Sequence, residues 1–123
     1  MTYKMEQLNK KEIHQLAMQE VGNFLKTQGY EFLGVNSDMK QSPQFVCVKK
    51  KSLYFIVVSG CLYPNSPKKY DLKFMEKVII HAKKNKAKLY FAGVGFANSE
   101  NYNLPLLKNN SYVVNFSGLE KIL

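Results

Sequence analysis

Between Asn9 and Gln28 the apolar residues Ile13, Leu16, Ala17, Val21, Phe24 and Leu25 recur at spacings of three, four and seven, the repeat of one helix face. Asn9 and Glu12 fit a capping box, in which the Asn side chain accepts an orphan helix N–H and the Glu reaches back. Gly29 then supplies the left-handed stop. The pattern changes over Tyr30–Asn36, Gln44–Lys49 and Leu53–Ser59, which are rich in Val, Phe, Tyr, Ile and Leu and are separated by turn-prone Asn36, Ser37, Asp38 and Pro43. These predict three strands. Lys49-Lys50-Lys51-Ser52 joins the last two closely enough for a hairpin. Leu53–Val58 is apolar without alternation, the mark of a strand buried on both faces.

Gly60–Lys69 carries Pro64, Asn65, Ser66 and Pro67 and reads as a loop. Asp71 is placed to cap a second helix running to about Asn85, with Leu72, Met75, Val78, Ile79 and Ala82 on its apolar face. Lys88–Val94 predicts a fourth strand, Gly93–Asn98 leads into a polar loop through Pro105, and Tyr112–Phe116 predicts a fifth. Ser117 with Glu120 offers a capping box for a short terminal helix. The expected fold is α/β, in the order helix, three strands, helix, strand, then a short strand and a terminal helix. That order makes a mixed central sheet flanked by helices. Residues 1–123 fit one domain, without an internal repeat or a linker.

With 46% hydrophobic and 22% charged residues, the composition is that of a folding chain rather than a disordered one. Leu53–Val58, the longest apolar run, falls far short of the roughly 20 residues of a membrane span, and Met1–Lys11 lacks the apolar stretch of a secretory signal. A cytoplasmic protein without a membrane partner is expected. All 18 basic residues are lysine, giving a net charge of +9. Such an excess attracts polyanions, either nucleic acid or an acidic protein. Without Arg, bidentate reading of guanine by that residue is excluded. On a helix, Lys73, Lys77, His81 and Lys84 fall within about 80° of one another, opposite the apolar face. They form a basic stripe, which is also how the solvated back of a packed helix reads. Lys49, Lys50 and Lys51 form a second cluster, and Lys68 and Lys69 a third.

Candidate chemistry is sparse. Cys47 and Cys61 have no CxxC partner and only His14 and His81 to join them, a spacing that fits no standard zinc pattern; an iron–sulfur cluster held by cysteines needs four. No metal and no cofactor are expected. Cys47, between Val46 and Val48, reads as a small buried hydrophobe. Gly93-x-Gly95 lacks the third glycine of a dinucleotide fingerprint, because position 98 is Asn, and reads as tight-turn geometry. His14 and His81 lie on the two helices near lysines and read as solvated surface histidines. No acid/base pair stands out among the scattered carboxylates.

Pro43-Gln44-Phe45-Val46-Cys47-Val48, the lysine turn and Phe55-Ile56-Val57-Val58-Ser59 together resemble the motif of the restriction-endonuclease-like, or PD-(D/E)XK, nucleases. That motif is a Pro-Asp strand start, a hairpin and a strand ending in acid-x-Lys. The resemblance, over roughly residues 10–95, implies a nuclease-like core in which Gln44 replaces the metal-binding Asp, Val57 the second acid and Ser59 the catalytic Lys. Gln, Val and Ser cannot supply the hard charged ligands of Mg²⁺, so the implied function is binding rather than catalysis. Two alternatives stand beside it: a nuclease whose catalytic groups have migrated, for example to Asp38 or Glu31 with Lys40, and a self-associating structural protein. Gly29-Tyr30-Glu31-Phe32, Pro43–Cys47, Tyr63-Pro64 and Ala92-Gly93-Val94-Gly95 also resemble short bacterial proteins that carry the name of a sodium-translocating NADH-quinone reductase component, the one that joins a ferredoxin domain to a flavin reductase domain. That activity implies four cluster cysteines, a membrane anchor and two nucleotide sites, none of which this sequence carries.

Overall fold

The computed structural model describes residues 6–123; residues 1–5, the start of the segment inspected for a secretory signal, lie outside them. The elements follow the order α1 (Lys10–Thr27), β1 (Glu31–Val35), β2 (Phe45–Lys49), β3 (Ser52–Leu62), α2 (Leu72–Lys84), β4 (Lys88–Asn98), β5 (Tyr112–Asn115) and β6 (Glu120–Lys121). One mixed sheet runs β1-β2-β3-β4-β5, with β6 also on β4. Among the described strands only the β3–β4 pair is parallel. A parallel neighbour requires a crossover, and α2 provides it. No helix among the described residues is long and apolar enough to cross a membrane.

The start of α1 is as the sequence requires: the Asn9 side chain accepts from the Glu12 amide at 2.8 Å, and Glu12 accepts from the Asn9 amide at 3.1 Å. Gly29 follows the helix at φ +83°. Ala17, Val21 and Leu25 then pack onto Ile56, Val58, Ala92 and Val94. On the opposite sheet face Met75, Val78 and Ala82 of α2 pack onto Phe55, Val57, Leu89 and Phe91. Alternate residues of Phe55–Val58 thus serve two cores, which explains their unbroken apolar run. Gly60 lets α1 approach β3, since a Cβ there would lie 3.0 Å from both the Ala17 Cβ and the Ile13 carbonyl oxygen.

Four expectations change. The terminal helix is absent: Glu120 and Lys121 pair with Phe91 and Tyr90 of β4, and Leu89 exchanges backbone hydrogen bonds with Ile122 and Leu123. A helix so short is a poor competitor, because nucleation is costly, whereas the open edge of β4 offers donors and acceptors that need partners. β3 runs to Leu62, so the loop starts later than Gly60. β4 runs to Asn98, which puts Gly93 and Gly95 inside a strand. Leu72, assigned to the apolar face of α2, is 71% exposed because it begins the helix beyond the sheet.

Candidate functional site

The basic residues divide between an extended surface and one end of the sheet. Lys73, Lys77, His81 and Lys84 are all exposed along α2, with its apolar face turned to the sheet. The His81 ring lies over Phe55, with centroids 5.1 Å apart. Lys50 and Lys51 form the two-residue turn between β2 and β3, flanked by the Lys49–Ser52 pair. The parallel register pairs Tyr54 with Lys88, so the lysine turn and the α2–β4 connection share one end of the sheet. Lys84 therefore lies at the turn's end of the molecule, while Lys73 lies a helix length away. Two lysines have an aromatic support there: Lys49 Nζ sits 4.7 Å from the Tyr30 ring centre and Lys88 Nζ 5.3 Å from that of Tyr54. Among the described residues, the only lysine that forms a salt bridge is Lys108, with Glu6 and Glu12.

Gln44, Val57 and Ser59 do come together, on the wall of one cleft of about 230 Å³ between the start of α1, the end of β3 and the start of α2. Gln44 is 2% exposed. Its side-chain oxygen accepts from the Val58 amide at 2.8 Å, and its Nε2 donates to the carbonyls of Gln41 at 2.8 Å and Asp38 at 3.3 Å. The amide thus ties the β1–β2 connection to the central strand. Val57, 4% exposed, belongs to the core beneath α2 while its edge borders the cleft. Ser59 is half-buried.

His14 corrects the sequence reading. It is not a solvated surface residue but 4% exposed, because the connection from Asn36 to Gln44 folds over its side of α1. Desolvation holds the ring's pKa below its ordinary value, outweighing the nearby Ser37 backbone and Asp38 carboxylate, which act in the opposite direction. His14 Nε2 and Ser42 Oγ are buried without a hydrogen-bond partner, and both residues line the cleft. Nothing in the local sequence announces this pair; only the lone His beside Ile13 on an amphipathic helix offered a signal.

The other candidates resolve as packing. A Cβ on Gly93 would fall 1.7 Å from the Pro67 carbonyl oxygen, so this glycine admits the Gly60–Lys69 segment against β4 rather than a pyrophosphate. Cys47 is fully buried, and burial pushes its thiol up to about 11; it is the inert small hydrophobe expected. Glu31 begins β1, whereas Asp38 and Lys40 lie in the connection beyond its other end, where the Asp38 carboxylate accepts the Lys40 amide at 2.9 Å. The three do not converge. No group of three or more His, Cys, Asp or Glu among the described residues is arranged to hold a metal ion.

Residues 11–122 match the family model DUF8840, described as a domain of unknown function. No curated protein matches the chain in sequence.

Proposed function

The chain belongs to the DUF8840 family, and from its own geometry we propose that it is a non-catalytic domain that binds nucleic acid through its lysine-rich surface, on a scaffold resembling that of the PD-(D/E)XK nucleases. The observation that carries this reading is the unneutralised charge: with +9 overall, the lysines of α2 and of the β2–β3 turn have no carboxylate against them among the described residues. Such a surface gains counterion-release free energy on meeting a phosphate backbone. An acidic protein is the competing partner. Lysine ammonium groups act as point charges, so binding is expected to be insensitive to sequence. Two free cysteines, one of them sealed in the core, suit a reducing compartment such as the cytoplasm.

Gel-shift titration with mixed-sequence DNA and RNA at low and moderate salt tests the reading. Binding that weakens linearly in log salt is expected, with a slope reduced by roughly one for each phosphate-contacting lysine replaced by Gln among Lys73, Lys77 and Lys84. No binding to either polymer at low salt, or cleavage of plasmid DNA with Mg²⁺ or Mn²⁺, overturns it.

A second reading, self-association, draws on the edge strand β1, where Leu33 and Val35 are 59% and 61% exposed. Unpaired apolar edges are templates for strand addition. A solution mass that stays monomeric at high protein concentration removes this reading.

A further inference from the structure

We propose that the outer edge of β5 pairs antiparallel with the same strand of a second copy of this chain, about a two-fold axis at Val113. β5 ends the strand order, so one side of it faces β4 and the other faces no strand among the described residues. Two hydrogen bonds fix which of its backbone groups face outward. The Ser99 amide donates to the Ser111 carbonyl at 3.1 Å, toward β5, whereas the Phe96 carbonyl accepts the Tyr63 amide at 2.8 Å, on the β3 side. Antiparallel alternation then makes Ala97 and Val113 a hydrogen-bonded pair, and leaves Phe96 with Val114 and Asn98 with Tyr112 as non-hydrogen-bonded pairs. The N–H and C=O groups of Tyr112 and Val114 therefore point away from β4. They flank Val113 symmetrically, so a two-fold axis there sets Tyr112 of each copy against Val114 of the other and satisfies these groups in both strands.

The side chains suit the same occupant. Tyr112, Val113 and Val114 are 37%, 36% and 38% exposed, and Val113 borders a hollow of about 270 Å³ whose rim carries the exposed Tyr63 and Tyr102, their ring centres 5.6 Å apart. Five of the eleven exposed large apolar side chains among the described residues thus gather at this edge, the mark of an interaction surface. Charge favours a meeting of two copies here rather than elsewhere. Tyr112–Asn115 carries no charge, and Lys108, which shares a hollow with Tyr112, is neutralised by Glu6 and Glu12. Over the rest of the surface two copies at +9 repel. Lysine, proline or an irregularity commonly blunts an edge strand; β5 has none of these, whereas β1 at the opposite edge carries a register shift between Phe32 and Gly34. A standard interface takes roughly 20–30 residues from each side, so this short edge predicts a dimer that dissociates on dilution. Nothing in this depends on nucleic acid binding at the lysine surface.

The solution mass of the full chain from micromolar to millimolar concentration tests the proposal, with Val113→Lys and Val113→Glu as variants. The axis sets this residue beside its own copy, so in either variant like charges oppose each other. The unaltered chain is expected to dimerise reversibly, and more tightly as salt screens the like net charges, the reverse of the trend for binding to a phosphate backbone. Each variant alone should associate at least roughly tenfold more weakly, and an equimolar mixture of the two should regain the dimer. A thermal melt establishes that each variant is folded; should either fail, Val114→Pro, which removes one outward N–H from an edge strand, carries the test. A monomer at every concentration overturns the proposal together with the self-association reading. A dimer that these substitutions leave unchanged, variants that do not recover on mixing, or a dimer that weakens with salt overturns the proposal alone.

Discussion

The side-chain oxygen of Gln44 accepts the Val58 amide at 2.8 Å, while the Nε2 of the same group donates to the Gln41 and Asp38 carbonyls. A carboxylate at this position would keep the first bond and lose both donors. Gln44→Glu, nearly isosteric, is therefore expected to destabilise the fold by about 2–4 kcal/mol, combining orphaned carbonyls with a buried charge. The protonated acid regains one donor, so the loss should shrink as pH falls toward the ordinary Glu range. Urea melts at pH 7 and pH 5 measure both effects, and an equal loss at the two pH values contradicts the account.

Val57 offers a complementary test at the second position of the resemblance. It packs among Phe55, Met75, Val78 and Phe91, so a carboxylate there must be neutralised or must pull water under α2. Val57→Glu is expected to lower stability by several kcal/mol, with no recovery in Mg²⁺, because no ligand set surrounds it among the described residues. A nearly neutral substitution, or a melting temperature that rises with Mg²⁺, shows instead that Val57 faces an open and merely disarmed site.

Local signals made most of this fold legible. The capping box, Gly29 and the Asp71 cap depend on neighbours within a few residues and lie where the pattern placed them, and each strand run falls within or close to its strand, although β3 and β4 extend on to Leu62 and Asn98. What stayed hidden depended on contacts distant in sequence. Glu120 became a strand residue because Phe91 needed an edge partner. Gly93 is explained by Pro67, and His14 by a connection more than 20 residues later that seals it. The lysine stripe of α2 was visible because a helix face is a local property. The cleft was not, since its walls come from three elements.

His14 predicts a pH dependence of stability. Its folded-state pKa is lowered from the ordinary 6.5, chiefly by desolvation, so below that value the unfolded chain takes up a proton that the folded chain resists. Stability is full above pH 6.5 and falls as pH drops through the interval down to the lowered value. The groups facing the ring are the Ser37 backbone and Asp38, with Lys10 and Asp71 at the cleft. Melting temperatures are expected to decrease from pH 7 to pH 5, with a shallower decrease in His14→Gln. Identical slopes in the two proteins assign the acid sensitivity elsewhere.

The β2–β3 turn separates stability from charge. Lys50 and Lys51 have φ of 50° and 67°, both in the left-handed region that a two-residue hairpin turn demands and that Asn-Gly satisfies best. Side chains other than Gly, Asn and Asp are strained there, by roughly 1–2 kcal/mol per residue. Replacing the pair with Asn-Gly is therefore expected to stabilise the domain by about 1–2 kcal/mol, part of the relief being offset by the freedom glycine adds to the unfolded chain. The same change removes two exposed positive charges beside Lys49. If this end of the sheet contacts a phosphate backbone, the variant should melt higher yet bind mixed-sequence DNA or RNA more weakly, with a smaller salt slope. A higher melting temperature with unchanged binding confines the nucleic-acid surface to α2. Lower stability shows that the lysines themselves hold the turn.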